Sequence, residues 1–223
     1  MKLAAIVLSA CLAAGCATPG PDFIPKSPFL DVPLSMRARD GDMQQRLADL
    51  ELKQDWATIA SLAGALVARD PQDSDWRVVL GYAELQQNRP HQAIAALAPV
   101  VERSPEEIDG HNLLGEALRL AGETERARQT LERASFSHPN SSINRFLLGE
   151  LYLQDGLLER ARTVYGQAVQ IDPEFSVAWL GLARVLARTG PREDYDAALK
   201  RLTALDARMA GTVPPFQAAP QRR

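Results

Sequence analysis

The chain has 223 residues, of which 46% are hydrophobic, 24% charged and 6% aromatic. This length allows one or two domains, and the apolar content excludes disorder over the whole chain. The formal charge at pH 7 is −3. Because no basic excess is available to neutralise phosphates, we expect no nucleic-acid partner.

The N-terminal residues have the pattern of an export signal. Lys2 gives a positive start, and residues 3–14 form an uncharged run of apolar and small residues. A helix of this length spans about 18 Å, which is shorter than the roughly 30 Å hydrocarbon core of a membrane. The pattern therefore predicts a signal peptide over residues 1–15 rather than a permanent membrane span.

Residues 13–15 (Ala-Ala-Gly) and Cys16 end this run and resemble the lipobox of bacterial lipoproteins. In that family the cysteine is diacylated, becomes the new N-terminus on cleavage and is then acylated again. The resemblance implies that Cys16 carries lipid. An aspartate at the next position would retain such a protein at the inner membrane, so Ala17 implies the outer membrane, on its periplasmic face.

Two alternatives to Cys16 stay open. Cys11 fits the same pattern, but it leaves only residues 3–8 as the apolar run. A plain signal peptide cut elsewhere is the second alternative. We favour Cys16 because cleavage there leaves one cysteine in an oxidising compartment, where acylation consumes the thiol.

Residues 16–39 predict an extended tether after the lipidated cysteine. This stretch contains five prolines and no apolar period, and proline fixes φ and removes a backbone donor. The alternative is that the leader packs back on the domain through its large apolar residues, Phe23, Ile24, Phe29 and Leu30.

A 34-residue period runs through most of the remaining chain. Four independent series share one register, and an internal repeat decides the fold class. The series are Gly81, Gly115, Gly149 and Ala183; Leu80, Leu114, Leu148 and Leu182; Ala93, Ala127 and Ala161; and Pro71, Pro105, Pro139 and Pro173.

This interval and these residue types resemble the tetratricopeptide repeat, a pair of antiparallel helices in 34 residues. The resemblance implies an all-α solenoid of about five helix-turn-helix repeats over residues 40–210. The predicted units are 40–73, 74–107, 108–141, 142–175 and 176–210, with the first and last as caps. Small residues let the two helices of a pair approach closely, and each proline ends a second helix.

The C-terminal end departs from the period. Around Gly190 and Pro191 we expect an insertion that shifts the second helix of the last unit to about residues 195–209. Residues 211–223, with three prolines, predict a disordered tail.

Residues for catalysis or metal binding are sparse. The three histidines, His91, His111 and His138, lie in different repeats and lack the spacing of metal ligands. His111 occupies a position that often packs in this repeat. No Gly-rich phosphate loop or nucleophile elbow occurs. We therefore expect no enzyme, no cofactor, no metal and no small-molecule substrate.

In the repeat family, the first helices line a concave groove with their second, fifth, ninth and twelfth positions. Carried onto this chain, these positions are Asp75, Val78, Tyr82 and Leu85; Asp109, Asn112, Glu116 and Arg119; Ile143, Phe146, Glu150 and Leu153; and Val177, Leu180, Arg184 and Ala187. We expect a partner at Tyr82, Asn112, Glu116, Arg119, Phe146, Glu150, Leu153 and Arg184, where aromatic and arginine side chains are the usual hot spots. The alternative for each residue is packing against the next repeat.

The groove lacks the Lys and Asn pairs with which the chaperone-binding subgroup clamps a C-terminal carboxylate. The favoured hypothesis is a non-catalytic scaffold that binds protein partners of the envelope and is anchored to the membrane by lipid. This architecture is similar to the pilotins of type IV pili and the lipoproteins of tight-adherence pili. Alternatives are an adaptor for peptidoglycan hydrolases or polysaccharide-export components, and an enzyme subunit.

Overall fold

The computed structural model describes Leu30 and residues 33–217. The predicted signal peptide, Cys16, most of the tether and the end of the tail lie outside the described residues. Within them, a 3-10 helix (Leu34–Arg37) is followed by eleven α-helices and no strand. The α-helices are α1 (Gly41–Leu52), α2 (Trp56–Arg69), α3 (Ser74–Gln86), α4 (Pro90–Arg103), α5 (Ile108–Leu120), α6 (Thr124–Ser137), α7 (Ser142–Gln154), α8 (Leu158–Ile171), α9 (Ser176–Thr189), α10 (Arg192–Leu205) and α11 (Ala207–Ala210).

The first ten α-helices form five pairs that coincide with the five predicted repeats. Each α-helix packs chiefly on its neighbours in the chain, and the first helices of successive repeats also contact each other from α3 to α9. The result is the predicted all-α solenoid, since a single helix pair cannot bury its own apolar face.

Local sequence signals explain where the helices begin and end. The side chains of Asp55, Asp73 and Ser141 accept backbone N–H bonds in the first turns of α2, α3 and α7, as N-cap residues do. The four series prolines each lie two residues beyond a second helix, which confirms their predicted role as stops.

The turn inside each of the first four repeats contains a left-handed residue. These residues lie 34 apart, at Gln54, Asn88, Gly122 and Gly156, with φ between 54° and 80°. Glycine and asparagine adopt this conformation at low cost. The sequence therefore carries a fifth periodic series in addition to the four that predict the repeat.

The predicted insertion near Gly190 is wrong. Helix α10 begins at Arg192, sixteen residues after the start of α9, which is the offset found in the three preceding repeats. The register was hidden because Tyr195 replaces the alanine of the three preceding repeats. Tyr195 is buried, and its ring lies 5.5 Å from that of Phe216.

Both ends of the folded region extend past the predicted boundaries. Leu30 and Leu34 are buried in the N-terminal core, so the end of the predicted tether packs back on the domain. At the other end, the Tyr195 hydroxyl donates to the Pro214 carbonyl (3.0 Å) and the Gln217 N–H donates to the Ala187 carbonyl (2.7 Å). The terminal repeats lack a neighbour on one side, and these segments cover the apolar surface left there.

In the three middle repeats, the glycine of the first helix lies under a large side chain of the second helix. A Cβ added at Gly115 would lie 2.4 Å from Leu131, and one added at Gly149 would lie 2.5 Å from the Tyr165 ring. Tyr165 also covers Gly181 of the next repeat at 2.5 Å. The Tyr165 ring is larger than the leucines at the equivalent positions, and Gly181 makes room for it. The preceding repeats carry Val79, Leu113 and Leu147 at the position of Gly181.

Two glycines in helix interiors give a direct test of this contact. Gly149→Ala should destabilise the fold by about 1–3 kcal/mol, because the Tyr165 ring must move. Gly166→Ala, the matched control in α8, has nothing within 4 Å of its new Cβ. It should stabilise the fold by about 0.5–1 kcal/mol through helix propensity. Urea unfolding of both variants measures this, and two shifts of the same sign would contradict the packing described.

Candidate partner-binding groove

We define the groove as the surface formed by the second, fifth, ninth and twelfth positions of the first helices. The eight residues predicted to bind a partner divide into two sets there. Tyr82, Asn112, Glu116 and Phe146 are at most 8% exposed. Arg119, Glu150, Leu153 and Arg184 are partly exposed.

The two aromatic residues form the floor of the groove rather than projecting from it. Tyr82 meets Trp56 edge to face at 5.6 Å between ring centroids. Phe146 packs against Tyr165 at 6.0 Å and Phe175 at 5.5 Å. These rings pack against aromatic neighbours and form a rigid apolar base for the groove.

Asn112 belongs to a buried amide pair. Asn144 Nδ2 donates to Asn112 Oδ1 (3.1 Å) and to the Leu131 carbonyl (3.2 Å), and neither asparagine side chain is exposed. This pair joins α5, α6 and α7 and fixes their register. Asn144 lies outside the family's groove positions, which is why the repeat pattern does not reveal its role.

Arg119 links two repeats across the groove. Its Nε and Nη2 donate to the two carboxylate oxygens of Glu116 at 2.8 and 2.7 Å, and its Nη1 donates to Gln154 Oε1 at 3.1 Å. A bidentate pair of this kind holds both side chains in one geometry. Burial lowers the pKa of Arg119, but the bonds to Glu116 and the charge of Glu150 outweigh this effect and raise it.

Glu150 is the centre of the groove's charges. Burial raises the pKa of its carboxyl group, while the hydrogen bond donated by the Tyr165 hydroxyl and the charges of Arg119 and Arg184 act in the opposite direction. Arg119 lies in α5 and Arg184 in α9, the first helices of the repeats before and after that of α7. Glu116, Arg119, Glu150 and Arg184 therefore form a strip of alternating charge across three successive repeats, which we call the charge strip.

Towards the N-terminus, the groove contains an acidic pocket. The Arg37 guanidinium donates to Asp75 (3.2 Å), Glu107 (2.9 Å) and Asp109. The Arg37 side chain is 3% exposed, and although burial disfavours its charge, the contacts with Glu107 and Asp109 raise its pKa. The sequence showed Asp75 and Asp109 as groove positions, but Arg37 lies before the repeats and carries no periodic signal.

His111 packs in the interior beside the groove. It is buried, and its Nδ1 lies 3.0 Å from the Glu107 carbonyl, which fits the packing role expected for its position. Burial lowers its pKa.

No group of three or more His, Cys, Asp or Glu residues that could hold a metal ion occurs in the described part of the chain. No helix among residues 33–217 has the length and apolarity needed to cross a membrane.

A family model described as tetratricopeptide repeat matches residues 47–108, 78–142 and 112–174, and a second model with the same description matches residues 152–219. The chain belongs to the tetratricopeptide repeat family. No curated protein matches its sequence.

Solved structures share the fold at low sequence identity. The structure of MamA is 20% identical, with a TM-score of 0.60 over 74% of this chain and 96% of that one. TTC0263, a thermophilic TPR protein of Thermus thermophilus, is 19% identical, with a TM-score of 0.62 over 73% and 93%. YrrB, described as a TPR protein with an unusual peptide-binding site, is 18% identical, with a TM-score of 0.54 over 72% and 84%.

Glu51 in α1 makes the stability of this family member depend on pH. Burial raises the pKa of its carboxyl group to about 7, with a smaller opposing effect from the Ser35 backbone. Since the folded chain favours the protonated form, stability is lost as pH rises from about 4.5 to 7. Glu51→Gln should therefore be more stable than wild type by about 1 kcal/mol at pH 8, allowing for partial solvent screening.

Urea unfolding at pH 8 and pH 5 measures this difference, which should shrink at the lower pH. Asp49→Asn, an exposed position on the same helix, is the matched control and should show no such change. A Glu51→Gln effect that is equal at both pH values would contradict the assignment.

Proposed function

We propose that this chain is a non-catalytic scaffold for protein–protein interaction, and that a partner segment lies along the charge strip. The proposal is supported by the alternating charges along three repeats, above an apolar floor, of Glu116, Arg119, Glu150 and Arg184. These side chains remain partly accessible, apart from Glu116, whose carboxylate is held by Arg119.

The charge strip favours an extended segment of mixed charge. Its two acidic and two basic side chains give no net charge, so neither a strongly acidic nor a strongly basic ligand would be preferred. Polar backbone groups of a peptide can bond to Gln154, Glu150 and the arginines, while Leu153 offers an apolar contact beside them. The description of YrrB as having a peptide-binding site supports a peptide as the class of ligand.

We further propose that lipid on Cys16 holds the scaffold at the periplasmic face of the outer membrane. The support is the lipobox resemblance of residues 13–16 and Ala17 after the cysteine. Each buried CH₂ contributes about 0.8 kcal/mol, and two or more acyl chains give stable attachment. In that position the scaffold would assist assembly of an envelope machine such as a pilus or a secretin.

Affinity purification of the full-length chain, tagged at its C-terminus and expressed in its host, tests both parts. Leu153→Asp combined with Arg184→Glu should reduce the recovered partner at least tenfold, because the apolar contact and one end of the charge strip are lost. The matched control is Phe136→Asp with Arg133→Glu, which replaces one apolar residue and one arginine by the same acidic residues at exposed positions of α6. Cys16→Ser should move the chain from the membrane to the soluble fraction.

The two parts can fail separately. Full recovery of the partner by the groove variant, with loss in the α6 variant, would place binding on the second helices. A Cys16→Ser chain that stays in the membrane fraction would contradict the lipid anchor, whatever the groove variants do.

A further inference from the structure

The segment before the first repeat packs on the folded domain. We call residues 33–38 the N-terminal segment. Of its 3-10 helix, Leu34, Ser35 and Arg37 are buried, whereas Met36 is 61% exposed. The 3-10 helix packs on α1 and on α3, so it reaches past the first repeat to the second.

Arg37 contacts groove positions of two successive repeats. Asp75 is the second residue of α3, Asp109 is the second residue of α5, and Glu107 precedes α5. These are the rows that the repeat family presents to ligands, and here a side chain of the same chain occupies them. Leu34 is buried in the same apolar cluster as Val78 and Tyr82, two further groove positions.

The pocket around Arg37 suits a cation. Asp109 is 1% exposed, and an ionised carboxylate at that depth needs a partner charge. Three carboxylates accept from this one guanidinium, so the lining of the pocket is acidic. The Arg37 Nε is buried without an acceptor, so Arg37 does not use its full set of donors in this position.

We propose that the N-terminal segment is an intramolecular ligand of the groove, and that a partner segment carrying an arginine three residues after a leucine displaces it from the acidic pocket. This inference rests on the groove being the binding surface, as proposed above. A tethered segment has an effective concentration of about millimolar. The segment therefore excludes weak basic ligands and admits those that also engage the charge strip.

A peptide with the sequence of residues 30–39, labelled with fluorescein, is the probe. It contains both Leu34 and Arg37 of the natural segment. In the full chain, Leu34→Asp with Arg37→Glu should release the segment, because an acidic residue then faces the three carboxylates. This variant should bind the probe at least tenfold more tightly than wild type in fluorescence anisotropy titrations.

Two controls identify the site. Met36→Glu changes the exposed residue of the same 3-10 helix and should leave probe affinity at the wild-type value. Adding Asp75→Asn and Asp109→Asn to the released variant should return affinity to that value. A released variant that is folded by circular dichroism and binds the probe no more tightly than wild type would overturn the proposal.

If the released variant does not fold, wild type decides the question by hydrogen exchange. The amides of Met36 and Ala38 donate to the Pro33 and Ser35 carbonyls. With excess probe, these amides should exchange at least tenfold faster while those of α3 are unchanged. Unaltered exchange would overturn the proposal. Because the probe is a copy of this chain's own segment, neither result depends on recovery of a host partner.

Discussion

In the three middle repeats, a glycine of the first helix lies against a large side chain of the second helix, and this close contact underlies the packing of the solenoid. A Cβ added to the facing glycine would lie only 2.4–2.5 Å from Leu97, Leu131 or Tyr165. Close approach within a pair leaves apolar surface on its outer sides, and that surface is buried only when pairs stack. Tyr165 shows that the contact is matched in size, since it faces two glycines.

Stacking at a constant 34-residue interval places equivalent residues of the first helices in rows. The ninth positions, Glu116, Glu150 and Arg184, form the row on which the charge strip is built. The second positions, Asp75 and Asp109, form the row that holds Arg37. The periodicity that builds the core therefore also determines which polar side chains become neighbours on the groove.

Much of the fold could be predicted because the same small, apolar and proline residues recur at equivalent positions in several repeats. The groove positions followed from the same register, but their exposure did not. Tyr82 and Asn112 are buried by aromatic and amide neighbours in adjacent helices, and a single sequence does not show such contacts. Arg37 was missed because it lies before the first repeat. The register of the last repeat was missed because Tyr195 stands where the three preceding repeats carry alanine.

Site-specific photo-crosslinking in intact cells tests whether this solenoid holds a partner on its groove. A benzophenone side chain at Leu153, compared with one at the 90% exposed Phe136 of α6, samples the two faces of the same folded chain. We expect a discrete cross-linked protein from position 153 and none from position 136. Cross-linking from 136 alone would contradict it.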